Sequence, residues 1–389
     1  MSVLKITNIL ATCNLSYILQ MDNYISKTKS CALIILLILF AKGGFSKTDP
    51  VKGVWITNVA SNALDSPENI REAVRVCEES GINNIFVVTW NRARTLYPSA
   101  IMKEKFGIPI MERFNGRDPL KEMITEAHAH NIKVHAWFEF GFSSSYNENG
   151  GMILAKFPEW AAINSEGNLV SKNGFEWMNP FNPDVQNFIN SLIKEVVTNY
   201  QVDGIQGDDR LPAVPSEAGY DKYTVSLYQS QHKGQSPPAD YTDKDWVNWR
   251  ADLLTQYLGN LYKDLKKLRP RLIVSMAPSI YPWGKEKYLQ DWPAWVAKGY
   301  VDYVLPQVYR YNFKAYSTTL LDQAKELKES DKGKVFPGVL LQVNGKNPSA
   351  GFLDSMIVEN RRIGFKGECF FFFEGLKKFP EFFHNYKNQ

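Results

Sequence analysis

Cysteine is scarce: four residues in a chain of 389. Two of them, Cys13 and Cys31, fall in the N-terminal segment. Cys77 and Cys369 are far apart and cannot build a disulfide scaffold. Their apolar surroundings read as two buried thiols, with a single bridge as the alternative in an oxidising compartment. No Gly-rich phosphate loop follows any strand-like segment, so nucleotide binding lacks support. His128 and His130 are two apart on a helical pattern and face different ways, which excludes a zinc pair. Ser143, Ser144 and Ser145 lack the strained G-x-S-x-G context of a nucleophile elbow. Asp208 and Asp209 lack the further oxygen donors that a hard cation needs. No cofactor and no metal is expected.

The apolar run from Cys31 to Phe40 spans about 15 Å as a helix, too short for a ~30 Å hydrocarbon core. Lys27 and Lys29 precede it, and Ala41, Gly43 and Gly44 follow it. Basic, apolar and small residues in that order are the layout of a secretory leader. Met21 gives a leader of ordinary length. Residues 1–45 therefore read as extension and leader, and residues 46–389 as the folded protein. The expected destination is secretion or the periplasm, by transient contact with an export machinery. An uncleaved membrane anchor at residues 31–40 is the alternative. Without residues 1–45 the formal charge falls from +4 to +1. A nearly neutral protein has no electrostatic case for nucleic acid and suits a neutral polymer.

From residue 51 onward, strand-like and helix-like segments alternate. The strand-like ones are Val54–Thr57, Asn84–Trp90, Lys133–Phe140, Val202–Asp208, Leu272–Ser279, Asp302–Tyr309, Lys334–Leu341 and Glu368–Phe373. They are short β-branched or aromatic runs, as parallel strands buried on both faces should be. Helix starts are marked by Ser66-Pro67, Asp118-Pro119, Pro183-Asp184, Asp243 and Ser349. Eight strands and seven intervening helices predict a single α/β domain, a (β/α)8 TIM barrel. Helix-to-strand links are short, whereas the long links, about 91–117, 141–182 and 210–242, all follow strands. Long βα loops collect at the C-terminal face, where barrel enzymes keep their sites.

The fourth strand ends in Gln206-Gly207-Asp208-Asp209-Arg210. Two adjacent carboxylates and a cation are costly to fold around unless solvated or paired. Period two places Gln206, Asp208 and Arg210 on one side and Asp209 on the other. A solvated turn or a plain salt bridge to Arg210 is the structural alternative. Glu139 ends the third strand, and Glu374 ends the eighth after four phenylalanines. Desolvation there raises a carboxyl pKa towards that of a proton donor. Glycoside hydrolysis usually needs two carboxyls, one protonated and one ionised. Asp208 with Glu139 or Glu374 supplies them, and Asp209 tunes the charge. A helix cap for Glu374 and a buried ion pair for Glu139 are the competing structural roles.

Aromatics are dense at the strand ends and in the long loops: Trp90, Trp137, Trp160, Trp177, Trp283, Tyr309 and Tyr311. Sugar rings stack on such faces while polar neighbours bind hydroxyls. Asn91, Arg92, Arg210, Gln307 and Arg310 are the polar candidates. The expected partner is a polysaccharide or oligosaccharide. A non-catalytic carbohydrate-binding protein on the same scaffold is the alternative from a different class.

Several spaced motifs carry a resemblance: Gly53–Asn58, Thr95–Ser99, Trp137–Phe142, Asn179–Phe181, Asp203–Asp209, Leu289–Trp292 and Gln307–Arg310. Over about residues 51–376 the chain resembles the bacterial glycosyl-hydrolase-like family 10, in the form common in cyanobacteria. The resemblance implies a glycoside hydrolase TIM barrel, exported to the periplasm or beyond. Some relatives cleave glycan strands of peptidoglycan. The family's acidic strand-four motif falls on Asp208 and Asp209. The family commonly has a bulky aromatic where this chain has Gly207, and His where it has Arg210, a departure expected to reshape the pocket floor. The same strand is similar to that of family 18 chitinases, which read D-G-x-D-x-D-x-E. Gln206 and Arg210 replace an Asp and the catalytic Glu of that pattern, so its mechanism does not transfer.

Overall fold

The structure, a computed structural model, describes residues 50–343, 345 and 347–388. The leader, the start at Met21 and the anchor alternative at residues 31–40 lie outside the described residues. No helix among the described residues is long and apolar enough to cross a membrane.

Eight parallel strands run in chain order: β1 Lys52–Ile56, β2 Asn84–Val88, β3 Lys133–Trp137, β4 Gly204–Gly207, β5 Ile273–Met276, β6 Tyr303–Val304, β7 Gly338–Leu340 and β8 Glu368–Phe371. The sheet order is β6-β5-β4-β3-β2-β1-β8-β7. Parallel bridges Val304–Val335 and Gln307–Gly338 join its two edges. The Phe336 N–H donates to the Val304 carbonyl at 2.9 Å, and the Gly338 N–H to that of Pro306 at 2.8 Å. Among the described residues the strands thus follow one another around a ring whose two edges meet at these bridges.

Whereas β1 starts two residues earlier than the sequence pattern predicts, at Lys52, the other seven of the eight strands are shorter than predicted, mostly at their C-terminal ends. Proline accounts for part of this. Pro278 follows β5, Pro306 follows β6 and Pro337 precedes β7, and none of them can donate to a ladder. Residues expected at strand ends, Glu139 and Asp208 among them, are thereby released into turns at the barrel mouth.

Helices cover the ring: α1 Pro67–Glu79, α2 Pro119–Ala129, α3 Pro183–Asn199, α4 Lys244–Leu268, α5 Trp292–Ala297, α6 Phe313–Lys325, α7 Ala350–Ile363 and α8 Pro380–Lys387. Ser66, Asp118, Asn182, Asp243, Asn312 and Ser349 cap six of them through their side chains. α3 shows how sequence becomes packing. Val185, Phe188, Ile189, Leu192, Ile193, Val196 and Val197 recur at three- and four-residue spacing, and all are buried against the barrel. Each contributes roughly 1.5–3 kcal/mol by leaving water, before the entropy of ordering is subtracted. Cys77 and Cys369 are both buried and free, in line with two buried thiols.

The long links also acquire structure. A hairpin pairs Trp90–Asn91 with Arg94–Thr95, and its two turn residues, Arg92 and Ala93, have φ of 47° and 53°. Such mirror-image turns match strand twist but ordinarily take Gly or Asn. The motif at Thr95–Ser99 is held by Glu195 of α3. Its carboxylate accepts from the Tyr97 hydroxyl at 2.9 Å and the Ala100 N–H at 2.8 Å, and also from the Ser99 hydroxyl. After β3, strands Ser143–Tyr146, Ser171–Lys172 and Phe175–Trp177 form a small antiparallel sheet over the barrel mouth.

Candidate active site

At the C-terminal end of the strands lies a cavity of 230 Å³. Trp55, Trp137, Phe175, Tyr309 and Phe371 form its walls, with Ala277 and Gln307. Glu139, Asp208, Asp209 and Arg210 provide its charges. One ring system fits such a space: aromatic faces for an apolar surface, and a few polar groups to fix orientation.

Arg210 organises the charges. Its Nη2 lies 3.2 Å from Asp208 Oδ2 and 3.8 Å from Glu139 Oε1, and its Nη1 lies 3.0 Å from Asp209 Oδ1. Its Nε donates to the Glu139 carbonyl at 2.8 Å, and its guanidinium sits 4.6 Å above the Phe175 ring. The loops after β3 and β4 are also sewn together through their backbones, because the Phe142 N–H donates to the Arg210 carbonyl at 2.9 Å. Gly141 is required at this crossing. It has φ +49°, and a Cβ there would stand 2.1 Å from the Arg210 carbonyl oxygen.

Asp208 is almost fully enclosed, with a side chain 3% exposed. Its Oδ2 accepts from Trp137 Nε1 at 3.2 Å, and its Oδ1 accepts from the Arg210 N–H at 2.9 Å. Its own carbonyl is held by the Gln290 side-chain amide at 2.9 Å. Burial pushes the Asp208 carboxyl well above the usual carboxylate range, Arg210 pulls it back, and Asp209 and Glu139 push it further up.

Glu139 is more open to the cavity, with a side chain 18% exposed. Its Oε2 accepts from Asn91 Nδ2 at 2.8 Å and from the Thr57 hydroxyl at 3.4 Å. Burial raises its pKa from the ordinary 4.5 to about 6, with Arg210 opposing. Three carboxyls around one guanidinium cannot all carry charge cheaply in a space this dry. The Glu139–Asp208 pair therefore retains a proton to higher pH than free carboxyls do.

Residues 50–347 match the family described as Glycosyl hydrolase-like 10. The chain belongs to it. Among curated relatives, the glycosyl hydrolase DigH of Escherichia coli K12 is 26% identical over 288 residues, covering 67% of this chain and 62% of that protein. The glycosyl hydrolase YngK of Bacillus subtilis is 24% identical over 307 residues, covering 68% of this chain and 56% of that protein. The chain thus spans less than two thirds of the relatives it matches. Among solved structures, the PgaB (BpsB) glycoside hydrolase domain of Bordetella bronchiseptica superposes with a TM-score of 0.64 at 12% identity, covering 86% of this chain and 97% of that one. The β-amylase catalytic domain of Paenibacillus polymyxa gives 0.61 at 9% identity, over 87% and 99%. Those two likenesses concern the fold.

Within this Glycosyl hydrolase-like 10 barrel, the structure brings together Glu139, Asp208, Asp209, Arg210, Trp137, Gln307 and Tyr309 of the residues picked from sequence. Asp209 lies on the same side as Asp208, contrary to the alternation expected of a strand, because β4 stops at Gly207 and both aspartates sit in the turn beyond it. Glu374 is not among the residues lining the cavity. β8 ends at Phe371, and a 3-10 turn, Phe373–Lys378, carries Glu374 to the loop after β1, where it accepts from the Ser61 hydroxyl at 2.7 Å. Its expected place beside Asp208 is corrected accordingly.

Trp90 is also corrected. It is fully buried, and its Nε1 donates to the Gly141 carbonyl at 3.1 Å, so it braces the loop and offers no face to a ligand. Trp160 and Trp177 are buried as well. Asn91 is buried behind Glu139 and acts on that carboxyl rather than on a sugar hydroxyl. Trp283 is exposed at the start of the short helix Trp283–Tyr288 that follows β5, outside the cavity lining. Arg310 turns towards α6, where its Nε donates to Thr319 at 3.0 Å.

Gly207 does not shape the pocket floor as expected. A Cβ there would meet the Leu211 carbonyl oxygen at 2.2 Å and Met276 Sδ at 2.7 Å, so glycine lets the returning chain cross behind the aspartates.

Sequence reasoning missed Trp55, Phe175 and Phe371. Trp55 was findable from period two, since it shares a face of β1 with Gly53 and its Nε1 donates to the inward Gln206 at 2.7 Å. Phe175 comes from a loop hairpin that no periodicity marks. Among the described residues no group of three or more His, Cys, Asp or Glu is placed to hold a metal ion.

Proposed function

We propose that this protein is an exported glycoside hydrolase that cleaves an O-glycosidic bond in a cell-envelope, peptidoglycan-like or extracellular glycan. Glu139 is the proton donor and Asp208 the nucleophile or base. The observation that carries this reading is the single Arg210 nitrogen shared by Glu139 Oε1 and Asp208 Oδ2, inside an aromatic-walled cavity of monosaccharide scale. Both side-chain donors to Glu139 take Oε2, so Oε1, 3.8 Å from Arg210 Nη2, is the oxygen assigned the proton. Asp208 instead accepts from Trp137 and twice from Arg210, contacts that oppose the effect of burial and lower the cost of the charged form it needs as nucleophile.

The separation of those two oxygens cannot exceed the 3.8 and 3.2 Å legs laid end to end. That limit covers the ~5–5.5 Å of retaining enzymes and only the lower edge of the ~6.5–9.5 Å of inverting ones. The geometry therefore favours retention: Asp208 attacks the anomeric carbon as Glu139 protonates the departing oxygen, and Glu139 then activates water to release the sugar. The basic, apolar and small residues within 21–45 support export.

The test uses purified glycan strands freed of peptide. The wild-type protein is expected to release reducing ends, and Asp208→Asn to abolish that release with an unchanged circular dichroism spectrum. Saturable strand binding by the wild type with no reducing ends formed would overturn the hydrolase reading in favour of a binding protein.

A further inference from the structure

The cavity accounts for one sugar unit, yet aromatic surface continues outside it. Among the described residues, the exposed large aromatics are Tyr146, Tyr223, Trp283, Tyr311 and Phe313. All five belong to segments that follow strands, or to the first two residues of a helix entered from such a segment. None lies at the end where helices run back into strands. Exposed apolar surface scattered over a protein needs no explanation, whereas surface gathered around the mouth of a cavity does.

One of these rings, Tyr146, is built into the hairpin that roofs the cavity, and a second, Trp283, opens the short helix Trp283–Tyr288 that packs beside it. Tyr146 packs edge-on against Phe175, a cavity wall, with ring centres 5.0 Å apart. The guanidinium of Arg92, on the left-handed turn after β2, lies 5.6 Å from the other ring's centre, that of Tyr146. Two residues along the same strand, Trp177 lies 6.1 Å from Tyr288, and Tyr288 lies 5.4 Å from Trp283. Tyr288 is fixed from below, since the Asn173 amide donates to its hydroxyl at 3.2 Å and the Lys172 ammonium sits 4.9 Å over its ring. An exposed tryptophan leaning on a tethered tyrosine presents a pre-positioned face at little entropic cost.

Resting on the carbohydrate reading of the cavity, we infer that Tyr146 with Arg92, and Trp283 braced by Tyr288, are glycan-binding platforms for chain units beyond the one in the cavity. The ligand is a polysaccharide chain several sugars long. Each ring takes the apolar face of one sugar, and the Arg92 guanidinium donates to its hydroxyls. The protein would then engage a strand along its length rather than a lone terminal sugar.

The probe is purified peptide-free glycan strands, and the host is the Asp208→Asn protein, so that binding is read without turnover. Affinity electrophoresis and calorimetry on strands of graded length are expected to show affinity rising with length. Tyr146→Ala and Trp283→Ala should each weaken long-strand binding about tenfold, and Tyr146→Phe and Trp283→Phe should restore most of it. Both side chains are exposed, so unchanged melting temperatures are expected of all four variants. Equal affinity for short and long strands, Ala variants that bind like their parent, or no strand binding at all would each overturn the inference. Ring-dependent binding without hydrolysis by the wild type would sink the hydrolase reading alone. Hydrolysis indifferent to both rings would sink the platforms alone.

Discussion

The side-chain amide of Asn91 donates to Glu139 Oε2 at 2.8 Å. The same nitrogen reaches Asn58 Oδ1 at 2.9 Å, which fixes the amide's orientation. Thr57 and Asn58 end the first strand's motif, and Asn91 opens the hairpin after the second. Two neighbouring strands thus place a donor behind a carboxyl supplied by a third. A hydrogen bond to the ionised form lowers a carboxyl pKa. Asn91→Ala removes it, so the Glu139 pKa should rise above about 6. The alkaline limb of kcat/KM against pH should move upward by up to about one unit. A profile that stays in place would show that Glu139 does not set that limb.

Glu139→Gln tests the same carboxyl through rate and stability together. As proton donor, its loss should cost about 10²–10⁴-fold in strand cleavage. The stability sign follows from the raised pKa. The folded state holds the proton up to about 6, against an ordinary 4.5, so the native fold is penalised as pH climbs through that window. Glutamine removes a penalty of about 2 kcal/mol above pH 6, and little below pH 4.5. Melting temperatures of the variant and wild type should therefore diverge between pH 4.5 and 7, with the variant higher. Glu374→Gln keeps a side-chain oxygen that can accept from the Ser61 hydroxyl and should leave cleavage within about twofold of the wild type.

The barrel was legible because its determinants are local and repeated. Eight apolar runs, Pro- and Ser-marked helix starts, and long links confined to one side of the strands all reappear in the ring. The acids at 139, 208 and 209 were legible because charge at the end of a buried strand is anomalous wherever it occurs. Glu374 followed the same pattern but lies elsewhere, since nothing in Phe-Phe-Phe-Phe-Glu marks where the strand gives way to a 3-10 turn. Trp90 misled for a related reason. Composition cannot distinguish a tryptophan that offers its face from one whose indole N–H is spent on a neighbouring loop. Phe175 depends on long-range pairing with Tyr146, which single-sequence periodicity does not carry.

Gly207 offers a test of how the aspartate turn is held. A Cβ would intrude on the Leu211 carbonyl at 2.2 Å, and that backbone can yield only if residues 208–211 shift. Gly207→Ala should cost roughly 1–3 kcal/mol in denaturant unfolding. It should also reduce strand cleavage, because the Arg210 N–H and the Leu211 N–H both bond within this turn, to Asp208 Oδ1 and the Asp208 carbonyl. Full activity and unchanged stability in Gly207→Ala would mean that the turn relaxes without moving the carboxyls.

Arg210→Met separates the electrostatic role of the guanidinium from its packing on Phe175, since methionine keeps most of the apolar stem. Among the described residues, Arg210 is the one cation lining the cavity, and it faces three carboxyls. Without it, Glu139 and Asp208 lose the attraction that opposed burial, and both pKa values rise further. Ionising the cluster then costs more in the folded state than in the unfolded one, so stability falls as pH rises. Near pH 4, where Glu139 and Asp208 are largely protonated, the variant should melt close to the wild type. Near pH 8 it should be less stable by about 3–5 kcal/mol, the usual cost of stranding buried charge. Arg210→Lys restores charge but cannot reach Glu139, Asp208 and Asp209 with separate nitrogens, so it should recover part of the stability at pH 8 and little of the cleavage. A pH-independent loss in Arg210→Met would assign the residue to packing and remove it from the charge balance of the site.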